Sequence, residues 1–301
     1  MGGSSSAETR TFLPVAVLLA CLSAALFGAM TVALRVALRR SPDAELGAVV
    51  TVGVAAVVAL VAAAAEPASR SARPRDLVFF ALAGLIAPGA SQLFYTLAIR
   101  DAGASRTSVV VGGAPLVAVA IAIVLLGEPV VLGLVFGALL IVLGGLALVG
   151  ERIRPTGFRA RGLAFASATA LLFSTRDNLV RWYSGDARAS SAAGAATALV
   201  AGTLAIGVFA LFSRRRRPRQ RPTRLVAFVP AGLLFGLSYV SLFEAYFRGR
   251  VSVVSPLVAT ESLWGVLLAA LVLRRSELVG PRLIAGAALI VAGGALIGVV
   301  R

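Results

Sequence analysis

The 301-residue sequence contains no lysine, no histidine and a single cysteine, Cys21. Each absence removes a chemistry. Without histidine neither a Ser-His-Asp relay nor a Cys/His zinc site can be built, and one cysteine cannot close an internal disulfide. The imidazole proton shuttle is missing too, so any proton carrier has to be a carboxylate. Acidic residues are also few: 13 against 29 basic residues, every one an arginine, for a formal charge of +16. Charged residues of both signs amount to only 14 %, far too few to cover a soluble surface of this length. No GxxxxGK[ST] phosphate loop is present, so ATP hydrolysis would need a partner chain. No cofactor is expected.

What is abundant is apolar. Hydrophobic residues make up 59 % of the chain and mean hydropathy is +0.94, which makes lipid its natural solvent. A pI near 11.7 can signal nucleic-acid binding. Here the arginines lie between apolar runs, where they anchor membrane orientation, and nucleic acid is not an expected partner. A helix needs roughly 20 apolar residues to cross the hydrocarbon core. Ten segments qualify, near 13–34, 46–65, 77–98, 107–126, 130–150, 162–183, 190–212, 225–247, 252–273 and 280–300. The first is too long for a signal-peptide core and reads as a span. The expectation is an all-α integral membrane protein with ten transmembrane helices.

An internal repeat organises them. FGAMTVALR (27–35) aligns with FSTRDNLVR (173–181), and GALLIVLGGLAL (137–148) with GAALIVAGGALI (286–297). Between these, GEPVVLGLVFG matches SELVGPRLIAG through Glu128 and Glu277. The ordered set divides the chain into five-helix units, residues 1–155 and 156–301. An odd number of crossings forces the second copy to insert upside down relative to the first. The expected architecture is therefore an inverted repeat with a central site where the halves meet.

The two-copy, ten-span pattern, the Gly127-Glu128 corner and the glycine-rich closing helices resemble the drug/metabolite transporter superfamily, specifically its EamA-type members. The family commonly has a Trp-Gly pair in the first span of each half; here those positions read Phe27-Gly28 and Phe173-Ser174. The second Gly-Glu corner reads Ser276-Glu277. The resemblance implies transport of a small metabolite or drug, directed outward.

Small residues let helices approach closely in lipid, and Gly133, Gly137 and Gly144 share a face of the fifth span while Gly286 and Gly293 repeat the spacing in the tenth. Pro88, Pro115, Pro230 and Pro256 fall inside spans, where each can kink a helix. Charge inside the spans is the functional signal. Arg176, Asp177 and Asn178 lie near the middle of the sixth span, Glu261 near the middle of the ninth, and Glu244 toward the end of the eighth. A charge at the bilayer centre costs on the order of 2.5–3.5 kcal/mol, so these groups are expected to face protein or water. Asp177 with Arg181, and Glu244 with Arg248, stand four apart and can pair within one helix. That leaves Arg176 and Glu261, which are expected to meet across the centre. Gln92 and Tyr95 share a face of the third span. Tyr239, Phe243 and Tyr246 share one of the eighth, and Trp264 follows Glu261 by one turn. Together they form a wall suited to an amphipathic metabolite. Trp182 and Tyr183 read instead as an interfacial belt.

These residues predict a secondary transporter in the cell membrane working by alternating access, proton-coupled or driven by a substrate gradient, as a monomer or homodimer. The alternative is a membrane-embedded enzyme acting on a lipid, with Asp177 and Glu261 as acid and base. Orientation is divided. The positive-inside count favours both termini outside, because seven arginines between 214 and 224 fall on the opposite face; the resemblance implies termini inside.

Overall fold

The computed structural model describes residues 4–114, 116–117, 132–149, 158–184, 188–215, 224–248, 254, 257–273 and 280–300. Pro115, Pro256, Gly127-Glu128, Ser276-Glu277 and most of the 214–224 arginine run lie outside them, as does the side chain of Arg181. The described residues form eleven α-helices: α1 Ser4–Arg40, α2 Ala44–Ala65, α3 Pro74–Gly84, α4 Ser91–Ala102, α5 Ala104–Val111, α6 Leu132–Val149, α7 Arg161–Ser184, α8 Ser191–Arg215, α9 Val229–Arg248, α10 Glu261–Leu273 and α11 Pro281–Val300. Among the described residues, five stretches are long and apolar enough to cross a membrane, Val15–Arg40, Ala44–Ala65, Pro74–Ala102, Ser191–Ser213 and Leu225–Arg248. Shorter apolar helices accompany them at Val135–Gly144, Glu261–Val272 and Pro281–Ile297.

Local signals set the breaks. Asp43 caps α2 by accepting from the Leu46 amide at 3.1 Å. Proline opens α3 and α11 at the first helical position, where its missing N–H costs nothing. Gly103, at φ 95°, lets the chain turn directly from α4 into α5. Pro230 likewise sits in the first turn of α9 rather than kinking it. Pro88 does interrupt its helix: α3 and α4 are separated by a wider turn over Leu85–Ala90, in which Ala87 is extended at φ −144° and ψ 119°.

The packing has a two-fold character. α1 lies on α9 as α7 lies on α4; α2 touches α9 as α8 touches α3; α1 meets α10 as α7 meets α5. The remaining main contacts, α2 with α8, α5 with α10 and α6 with α11, join counterparts. Exchanging each helix for its repeat partner maps this set onto itself. The α6–α11 crossing shows it at atomic detail. A Cβ on Gly137 would stand 2.8 Å from the carbonyl oxygen of Gly293, and one on Gly144 2.6 Å from that of Gly286. The rising number on one helix meets the falling number on the other, so the two run antiparallel. The main apolar cluster lies where α1, α2, α4, α7, α8 and α9 converge.

Candidate functional site

Aromatic rings from both halves meet in that core. Phe27 of α1 and Phe173 of α7, equivalent positions of the repeat, pack edge to face with centroids 5.9 Å apart. Tyr95 of α4 lies 5.3 Å from Phe27 and 6.3 Å from Phe173. On the other side Phe235 contacts Phe27 at 6.1 Å and Tyr239 at 5.5 Å, and Tyr239 stacks on Phe243 at 4.9 Å.

Arg176 enters this group from the middle of α7. Its guanidinium carbon lies 5.3 Å from the ring centres of both Phe173 and Tyr239, and the residue is only 5 % exposed. Two aromatic faces and one carboxylate thus hold the cation away from lipid. The carboxylate is Asp177, whose Oδ1 is 2.7 Å from the Arg176 Nε. The Asp177–Arg181 pairing expected from helical spacing rests on a side chain outside the described ones. Adjacent residues point away from each other on a helix, but the long arginine stem folds back to the carboxylate beside it. Asn178 donates to the Ser174 carbonyl at 2.8 Å, so its amide nitrogen is held by its own helix.

Glu261 stands in the first turn of α10, just past a turn at 259–260 that interrupts the ninth segment. The fourth segment is interrupted likewise, at Gly112 and Gly113 after α5. Glu261 lies within electrostatic reach of Asp177, Arg176 and Tyr95. Asp177 is the direct ion-pair partner of the arginine, and Glu261 acts on the pair through charge from a second helix. The interruption at Ala87 also belongs here, since the Tyr239 hydroxyl donates to the freed Ala87 carbonyl at 3.0 Å. Irregular backbone at membrane depth is tolerated where such partners are found.

Two further residues of the expected wall are fully buried. The Tyr95 hydroxyl is 2.5 Å from that of Thr31. Gln92 is 0 % exposed, and neither its amide oxygen nor its nitrogen has a hydrogen-bond partner among the described residues. Trp264 is 42 % exposed, and Phe27, Phe173 and Phe235 add rings to the group. The repeat alignment had already singled out two of these, at the positions where the family commonly has tryptophan. Glu244 pairs with Arg248 and accepts from the Ser191 hydroxyl, tying the end of α9 to the start of α8. Tyr183, expected in an interfacial belt with Trp182, donates to the fully buried Asp76 at 2.6 Å, and Trp182 is 75 % exposed.

Comparison with known proteins places this arrangement. No curated protein matches the chain. One solved structure, described only as a crystal structure of a protein, superposes with a TM-score of 0.59 over 91 % of this chain and 96 % of its own. At 23 % identity that likeness speaks for the fold alone. The EamA-like transporter family matches twice, over residues 14–150 and again over 160–299, in agreement with the repeat. The matches cover nearly the whole sequence, and the chain belongs to the EamA-like transporter family.

Proposed function

We propose that this multi-pass membrane protein is a secondary transporter that exports a small metabolite or drug across the cell membrane. Its ten spans form two inverted five-helix repeats, residues 1–155 and 156–301. The substrate binds where the repeats meet and is exposed to each side in turn. One observation carries the reading: Arg176 lies between two aromatic faces with Asp177 paired to it, and Glu261 of a second helix is within electrostatic reach, beside interrupted helices. A purely structural pair would not need this, because apolar packing of similar volume replaces a buried ion pair with little loss. Interrupted helices that meet between repeats are the usual setting of a transported ligand. Tyr95, Tyr239 and Gln92 line the site, and Glu261, the carboxylate outside the ion pair, is the proton carrier.

Purified protein in proteoliposomes tests this. Flux of amino acids, nucleobases and cationic drugs is measured with and without a pH gradient. One of these classes is expected to move, faster with the gradient. Arg176→Met and Glu261→Gln are each expected to abolish flux while the protein still inserts and folds. Full flux in the double variant would show that the charged group is structural only.

A further inference from the structure

Gln92 carries an inference that rests on this reading and deepens it. A buried side-chain amide with both its poles unpaired is rare, because each pole was hydrogen-bonded to water before folding and loses that bond on burial. Gln92 has no exposed surface, and both its Oε1 and its Nε2 lack a partner among the described residues. Since both atoms are free, exchanging their positions changes nothing. The residue stands on the face of α4 that carries Tyr95 one turn later, and one turn after the extended backbone of Ala87. Its own backbone carbonyl is already used by Thr96 at 2.7 Å, so only the side chain is unsatisfied.

We infer that the Gln92 amide is a substrate-recognition group that selects molecules carrying a hydrogen-bond acceptor beside a donor, namely a carboxamide, a lactam or the edge of a nucleobase. A primary amide presents one donor and one acceptor side by side, and its complement is another such pair, giving two antiparallel hydrogen bonds. A planar complement suits the setting, since Tyr95, one turn on along the same face of α4, packs with Phe27 and Phe173. Full burial of Gln92 means the site is shut in this conformation. Ligand reaches it when the two pieces of the third segment shift about Ala87, which already departs from helical geometry. A site built to hydrogen-bond a group rejects an isostere that lacks it, because the buried amide is then left unpaired.

Benzamide and acetophenone test this, being nearly the same shape and differing in the N–H donors. Equilibrium dialysis on the detergent-purified full chain should show benzamide binding at least about tenfold more tightly. Gln92→Met, an apolar change of similar volume, should erase that ratio while the melting temperature without ligand stays level or rises. Equal affinities in the unsubstituted protein, or no binding of either probe, overturn the assignment without recourse to any variant. So does a ratio that survives in Gln92→Met. A lower ligand-free melting temperature in Gln92→Met also overturns it, because the amide was then satisfied structurally. The transport reading fails separately, if none of the tested classes moves in proteoliposomes of the unsubstituted protein, whatever the binding ratio.

Discussion

Asp76 shows what a single residue does outside the core. It sits in the first turn of α3, is fully buried, and accepts from the Tyr183 hydroxyl at 2.6 Å and the Arg188 amide at 3.1 Å. The Tyr183 ring also stacks on Phe79 with centroids 4.0 Å apart. The start of the third segment is thereby fastened to the end of α7 and the chain leading to α8. A hydrogen bond to a charged group contributes about 1.5–3 kcal/mol, and Tyr183→Phe keeps the stacking while deleting that bond. The expected result is a loss of about 2 kcal/mol in reversible unfolding of the detergent-solubilised protein. No loss would mean that water replaces the hydroxyl. The sequence offered little sign of this role. Tyr183 follows Trp182 at a span end, and an aromatic pair there reads as a belt; only the fold brings Asp76, more than a hundred positions earlier, beneath it. The central charges were legible for the opposite reason. A charge in the middle of an apolar run is conspicuous wherever the run packs, so Arg176, Asp177 and Glu261 stood out before any contact was known. That Arg176 reaches Asp177 was not legible, because helical spacing says nothing of an arginine stem folding back on its neighbour.

Among the elements, α6 and α11 make the strictest contact. Each glycine of the crossing faces a carbonyl oxygen of the other helix at 2.5–2.8 Å from where a Cβ would be. In lipid no hydrophobic force draws two helices together, so close backbone approach is what joins them. Gly144→Ala forces the helices apart and is expected to cost about 1–3 kcal/mol, as overpacking does. Gly207 of α8 is the control. Nothing lies within 4 Å of its Cβ position, and Gly207→Ala should be neutral or slightly stabilising through helix propensity. Equal melting temperatures for the two variants would contradict the close crossing. The glycine spacing and the repeat made this interface readable, since Gly137 and Gly144 have counterparts in Gly286 and Gly293. The interruption of the third segment was half readable. Pro88 announced a break, but its partner, the Tyr239 hydroxyl on the Ala87 carbonyl, depends on α9 crossing at that height.

At the scale of the whole molecule the open quantity is which way the chain sits in the membrane. With the ten crossings proposed above, both termini lie on one side and the joint between α8 and α9 on the other. That joint holds seven of the 29 arginines, between 214 and 224, and the same face collects Arg39, Arg40, Arg159 and Arg161 at the ends of α1 and α7. Cytoplasmic loops retain arginine because moving it outward across the membrane potential is unfavourable, so the count puts this face inside and both termini outside. The proposed inverted repeat bears on the question. Its two copies insert in opposite senses, so only an unequal distribution of arginine can decide which copy faces which way, and the 214–224 run is the largest inequality in the chain. Arg219→Cys in a Cys21→Ser background leaves one thiol, Cys21 being the sole and exposed cysteine. With a membrane-impermeant maleimide, the expected outcome is no labelling in intact cells and full labelling once the membrane is opened. Ready labelling in intact cells would reverse the orientation and show that the arginine run is held outside, where it meets the outer lipid surface instead of the cytoplasm.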